Sequence, residues 1–121
     1  MDDITVYGLK SCDTCRKALA ELDAAGKSVT FVDIRTEADL KKKVPLWLAA
    51  AGPDKLVNKR STTWRGMTDA EKEAALTEEG AVKVLCALPT LIKRPVIEDG
   101  ETVHVGWAKA QKESLGLSPK L

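Results

Sequence analysis

The sequence predicts an α/β domain in the order β-α-β, helical insertion, β-β-α, on a mixed central sheet of about four strands. Three observations carry that expectation. A β-branched run passes through a short loop into a helical pattern and on to a second β-branched run. Strand periodicity is missing from Glu37 to Leu88. Asp99-Gly100 then separates two short strand-like runs ahead of a closing helical segment.

Ile4-Thr5-Val6-Tyr7 has the β-branched and aromatic character of a buried strand, with Gly8 closing it. After Gly8-Leu9-Lys10-Ser11 the apolar residues Cys15, Ala18, Leu19 and Leu22 recur at helical spacing, and Gly26 supplies a stop. Val29-Thr30-Phe31-Val32-Asp33-Ile34 reads as the second strand. Two strands joined through a helix form the parallel crossover unit.

Residues 37–88 read as a helical insertion within a single domain spanning 1–121, with breakers at Gly52-Pro53, around Gly66, at Gly80 and at Pro89. Short helices fit Ala70 to Leu76 and Ala81 to Leu88. Pro95-Val96-Ile97-Glu98 and Thr102-Val103-His104-Val105 flank the turn pair Asp99-Gly100 as a hairpin. A helix from about Trp107 to Leu115 follows, stopped by Gly116.

A length of 121 residues suits one domain. With 44% hydrophobic and 31% charged residues, the composition is that of a folded globular chain and excludes disordered and fibrous classes. Lys and Arg number 19 against 18 Asp and Glu, a net charge of +1, so no basic footprint points to nucleic acid or to a membrane surface. The longest uncharged runs, Val44 to Pro53 and Val84 to Ile92, reach roughly half of the about 20 residues a membrane helix needs. Met1-Asp2-Asp3-Ile4 is acidic where an export signal is basic and then apolar, so the expected compartment is the cytoplasm. Thiols stay reduced there, and three cysteines point to redox or metal chemistry rather than to a disulfide scaffold.

Cys12-Asp13-Thr14-Cys15 falls where the first strand hands over to the first helix. Unpaired N–H groups and the positive dipole end favour a thiolate at that position, so Cys12 is the expected nucleophile. Arg16 and Lys17 add positive charge nearby. Spacing i to i+3 puts the two α-carbons roughly 5 to 6 Å apart, within disulfide reach, so Cys15 can resolve. The competing reading of one CxxC is half a zinc site, for which Cys86 and His104 are the other candidate ligands. Neither belongs to a second paired motif, and no metal is expected. Cys86 reads as a small buried hydrophobe, and His104 as a residue on the exposed face of its strand. Arg94-Pro95 opens the third strand, where proline suits either a strand start or a cis turn.

Tyr7-Gly8, Cys12-Asp13-Thr14-Cys15-Arg16-Lys17-Ala18, Asn58 to Arg65, and Leu91-Ile92-Lys93-Arg94-Pro95 together closely resemble the arsenate reductase (ArsC) family of the thioredoxin-like superfamily, over nearly the whole chain. The string Arg60-Ser61-Thr62-Thr63-Trp64-Arg65 looks most like the ArsC-related, YffB-like subgroup. The resemblance implies a thioredoxin-like fold, a nucleophilic Cys12, Arg60 and Arg94 in the substrate pocket, and Arg94-Pro95 as the cis-proline position. It implies a glutathione-dependent thiol reductase with no bound cofactor, glutathione as co-substrate, and glutathione or glutaredoxin as partner. Two alternatives share the resemblance. Glutaredoxin-coupled arsenate reduction normally uses a third arginine after the hairpin, where this chain reads Val105-Gly106-Trp107-Ala108, with Lys109 the nearest cation. Spx-type regulators, which contact RNA polymerase, share the CxxC and a Val-Gly-aromatic string after the hairpin.

Overall fold

The computed structural model describes residues 3–116, which divide into two compact units: residues 3–37 with 94–116, and Ala38–Lys93. The first unit holds strands β1 (Asp3–Gly8), β2 (Ser28–Asp33), β3 (Val96–Asp99) and β4 (Thr102–Val105), with helices α1 (Asp13–Ala24) and α7 (Lys109–Ser114). The second holds α2 (Leu40–Ala51), α3 (Pro53–Leu56), α4 (Thr62–Arg65), α5 (Asp69–Ala75), α6 (Glu78–Ala87) and a 3-10 turn at Pro89–Leu91. Among the described residues no helix is long and apolar enough to cross a membrane.

The four strands lie in the order β2-β1-β3-β4. β1 pairs with β2 in parallel and with β3 antiparallel, and β3 pairs antiparallel with β4. This mixed sheet with its β-α-β start and β-β-α finish is the thioredoxin-like fold that the sequence predicts. Alternation along β1 sends Ile4 and Val6 to one face, where they form a core with Ile97, with Leu22 from α1 and with Leu115 just beyond α7. Leu22 is fully buried, which is worth about 1.5–3 kcal/mol of transfer free energy. Residues 22–27 close α1 with a Schellman pattern: the N–H of Lys27 donates to the Leu22 carbonyl and that of Gly26 to the Asp23 carbonyl, with Gly26 at φ +77°. At its outer surface Glu21 accepts from Trp107 Nε1 at 2.6 Å and pairs with Lys112 at 3.1 Å, tying α1 to α7.

Several expectations shift by small amounts. Gly8 ends the first strand as expected but is still paired, opposite Asp33, and its carbonyl accepts the N–H of Ile34. In the hairpin, Asp99 pairs with Thr102, so the turn residues are Gly100 and Glu101 rather than Asp99 and Gly100. Gly100 at φ +61°, followed by a residue with negative φ, is the arrangement of a type II′ turn. The closing helix starts at Lys109, because Trp107 faces Glu21 and Gln111 reaches back, accepting from the Ala108 N–H and donating to the Val105 carbonyl. His104 is half-buried instead of exposed. It pairs with Ile97 and so shares the face that α1 covers, and burial lowers its pKa against the opposing field of Asp99.

Within the second unit α6 packs on α2 and α5, and the fully buried Trp47, Val44 and Leu85 belong to its core. Val57 and Ile92 form an isolated antiparallel bridge. Gly80, expected to break a helix, lies inside α6: the break falls at Thr77, whose hydroxyl accepts the Gly80 N–H at 3.1 Å. A side chain at Gly80 would collide with the Ala74 carbonyl, so glycine is there for close approach. Cys86 is half-buried on α6 rather than enclosed, and burial raises its pKa. Thr68 and Glu71 form a capping box at the start of α5.

These features separate in stability measurements. Denaturant titration of Leu22→Ala is expected to lose about 2–5 kcal/mol through the cavity left between α1 and the sheet. Thr68→Ala, which removes only the side-chain half of a cap, is expected to lose about 1 kcal/mol.

Candidate active site

The loop between β1 and α1 is a tight turn in which the Cys12 N–H donates to the Leu9 carbonyl at 3.0 Å. This turn makes Cys12 the N-cap of α1, with extended backbone at φ −85° and ψ +121°. Its side chain makes no capping hydrogen bond of ordinary geometry, yet the N–H groups of Cys15 and Thr14 face the sulfur. They are the third and second residues of the helix, whose amides have no carbonyl partner within it.

Two side chains complete the surroundings. The Cys15 thiol donates a hydrogen bond to the Cys12 sulfur, and the Arg94 guanidinium donates another. Burial alone would raise the Cys12 pKa, but the Cys15 backbone, the Cys15 thiol, Arg94 and the Thr14 backbone outweigh it and hold the pKa below that of an ordinary thiol. Cys12 itself is half-buried.

Cys15 is the opposite case. It is fully buried, and burial pushes its pKa up to about 11. A hydrogen bond from the Leu9 backbone and the field of Arg94 work against that rise, whereas the Cys12 sulfur reinforces it. Two neighbouring sulfurs are thus set apart, one favouring the thiolate and the other the thiol.

The Arg94-Pro95 peptide is cis, and the Pro95 carbonyl accepts the Gly106 N–H at 2.8 Å. Pro95 is buried and leads directly into β3. The structure therefore brings Cys12, Cys15, Arg94 and Pro95 together in one unit. Arg60 belongs to the other unit, on the exposed turn before α4, where its N–H donates to Asn58 Oδ1 at 3.1 Å.

The other expected cations turn elsewhere. Arg16 pairs with Asp13 at 2.6 Å, both side chains being largely exposed, so it neutralises the carboxylate at the helix start instead of reaching the Cys12 sulfur. Lys109 extends along α7 to Glu113 at 4.0 Å with its side chain 81% exposed, so it does not take the place of the missing third arginine. Among the described residues no group of three or more His, Cys, Asp or Glu is placed to hold a metal ion.

Sequence reasoning missed Gly8 and Leu9. The Leu9 peptide ties both cysteines, accepting from the Cys12 N–H and donating to the Cys15 sulfur. Gly8 lies directly against the Cys15 sulfur, with no room for a Cβ. A glycine within a β-branched run was the available signal, since such a residue often marks close backbone approach.

The model of the ArsC family matches residues 7–115. An uncharacterized protein of Haemophilus influenzae is 42% identical over 101 residues, covering 83% of this chain and 88% of that protein. Regulatory protein MgsR of Bacillus subtilis is 28% identical over 121 residues, covering 97% of this chain and 91% of that protein. Among solved structures, a protein named YFFB superposes with a TM-score of 0.81 at 33% identity, over 92% of this chain and 96% of that one. From the helix-capping cysteine to the proline ahead of β3, this chain belongs to the ArsC family.

Proposed function

We propose that the protein is a thiol–disulfide oxidoreductase acting on glutathione disulfides or glutathione adducts, with Cys12 as nucleophile and Cys15 as resolving thiol. The observation that carries this reading is the ring of donors on the sulfur of half-buried Cys12 beside a fully buried Cys15 whose raised pKa keeps it a thiol. An attacking thiol is most effective when its pKa lies near ambient pH, and those donors move Cys12 in that direction.

In the first step the Cys12 thiolate attacks one sulfur of a disulfide; the Cys12–sulfur bond forms, the substrate S–S bond breaks, and the other half leaves as a thiolate that takes a proton. Cys12 then carries no charge, so its contribution to the high pKa of Cys15 disappears. Cys15 gives up its proton and attacks the Cys12 sulfur, releasing the second thiol. Substrate gains two electrons, and the Cys12–Cys15 disulfide holds the oxidised equivalent until two glutathione thiols reduce it. Arg94 supplies a guanidinium whose fork suits a carboxylate of glutathione, while Arg60, which the family resemblance gives as a second substrate-binding arginine, is carried by the second unit.

Arsenate as substrate is a weaker reading, because no arginine follows the hairpin and Lys109 is engaged with Glu113. The similarity to the regulatory protein MgsR supports a second reading, that of a regulator; the resemblance to Spx-type regulators gives it the form of a redox-switched protein that contacts RNA polymerase. Pull-down of polymerase by reduced and oxidised protein separates the two: capture in one redox state supports the regulator, and absence of capture in both removes it.

Mass spectrometry after exposure to oxidised glutathione is expected to find a Cys12–Cys15 bridge in the natural protein, no adduct in Cys12→Ser, and a stable Cys12 adduct in Cys15→Ser. Failure of the natural protein to form either bridge or adduct would end the proposal. Arg94→Ala is expected to move the pH midpoint of Cys12 alkylation upward and to weaken glutathione capture by about 1–3 kcal/mol.

Stability should report the same asymmetry. A thiol with a raised folded pKa keeps its full contribution below about pH 8.5 and loses it as the pH climbs toward 11. Cys15 therefore makes the natural protein lose stability across that window, and chemical denaturation of Cys15→Ser is expected to show a shallower fall. Cys12, with a lowered pKa, has the opposite sign: its stabilising contribution is present above about pH 8.5 and fades as the pH falls through the folded value.

A further inference from the structure

We propose that Gly8 is a positioning residue for the resolving step: its bare α-carbon forms the seat against which the Cys15 sulfur is aimed. This inference rests on the thiol-exchange reading and deepens it. Gly8 lies within β1, paired with Asp33, and is not among the glycines with positive φ. Its backbone therefore asks for nothing that alanine could not adopt, and space is the reason for glycine.

A Cβ built at Gly8 would overlap the Cys15 sulfur and stand 3.3 Å from Cys15 Cβ and 3.8 Å from the Phe31 ring. The sulfur, fully enclosed, also receives the hydrogen bond from the Leu9 backbone. Gly8 and Leu9 thus hold it from the strand side while it donates to the Cys12 sulfur. A methyl group at position 8 forces the sulfur off the seat. Cys12, anchored by the Leu9 carbonyl and the amides of α1, is not among the close neighbours of that methyl.

Displacing a reacting atom by about 1 Å costs up to about 100-fold in rate. In the resolving step the proton leaves Cys15, its sulfur attacks Cys12, and glutathione departs as the thiol. Gly8→Ala should slow this step far more than adduct formation, for which Cys12 loses only the Cys15 thiol and keeps its backbone amides and Arg94.

The test is rapid-quench mass spectrometry of the reduced full-length protein mixed with oxidised glutathione. For Gly8→Ala we expect the Cys12–glutathione adduct to form within about threefold of the natural rate and to persist at least about tenfold longer. Adduct decay at the natural rate, or formation and decay slowed in equal proportion, would overturn the proposal.

A second arm removes the colliding sulfur. The stability lost in Gly8→Ala should be recovered in Gly8→Ala/Cys15→Ala relative to Cys15→Ala, and persistence of the full loss would overturn the seat. Should Gly8→Ala fail to fold, recovery of a folded double variant supports the proposal and continued failure refutes it. If the natural protein forms no adduct at all, the thiol-exchange reading falls instead, and with it the kinetic role, while the stability arm still reports whether Gly8 and Cys15 collide.

Discussion

At the first turn of α1, a sulfur meets backbone amides that no helical carbonyl can reach, and the rest of the site is arranged around that encounter. Cys12 occupies the N-cap, where the peptide dipoles converge, and it gains a guanidinium from Arg94 and a thiol proton from Cys15. Burial opposes the charge, as it must for any anion moved out of water. Directed donors prevail over that cost, so the balance depends on geometry. If α1 started one residue earlier or later, the same amides would face a hydroxyl or a carboxylate.

That geometry is held by apolar burial more than by surface charge. The contacts of Glu21 with Trp107 and Lys112 tie α1 to α7, but they lie in solvent, where an ion pair is worth about 0–1 kcal/mol. Leu22 and its neighbours Ile4, Val6, Ile97 and Leu115 exclude water, and removing one such side chain costs several times more. The sheet places the end of β1 beside the start of β3, so the loop carrying Cys12 and the segment carrying Arg94 meet at one end of the two central strands.

Most of this architecture was legible in residue order. Runs of β-branched and aromatic residues mark the first two strands, helical spacing from Cys15 to Leu22 marks α1, and the position of the CxxC at the strand–helix junction points to a thiolate. The errors have a common origin. In residue order Gly80 reads as a helix breaker because glycine frees the backbone, whereas the structure uses it, as it uses Gly8 at the end of β1, for its lack of a side chain. Strand and helix pattern puts His104 on an exposed face and Cys86 in a buried one, and both are half-buried in the structure, since pattern records what one element prefers and not how far its neighbours extend.

Local sequence alone determined which cysteine caps the helix, because capping depends on a few consecutive residues and on peptide dipoles that every helix shares. It also determined the order of strands and helices, through side-chain periodicity. Only the tertiary structure decided that Arg94, 82 positions from Cys12 in the numbering, donates to its sulfur, that Arg16 and Lys109 are engaged with carboxylates instead, and that Cys15 rests against Gly8. The reason is physical: hydrogen bonds and steric contacts act over a few ångströms, and the distance along a chain says nothing about separation until packing has closed it.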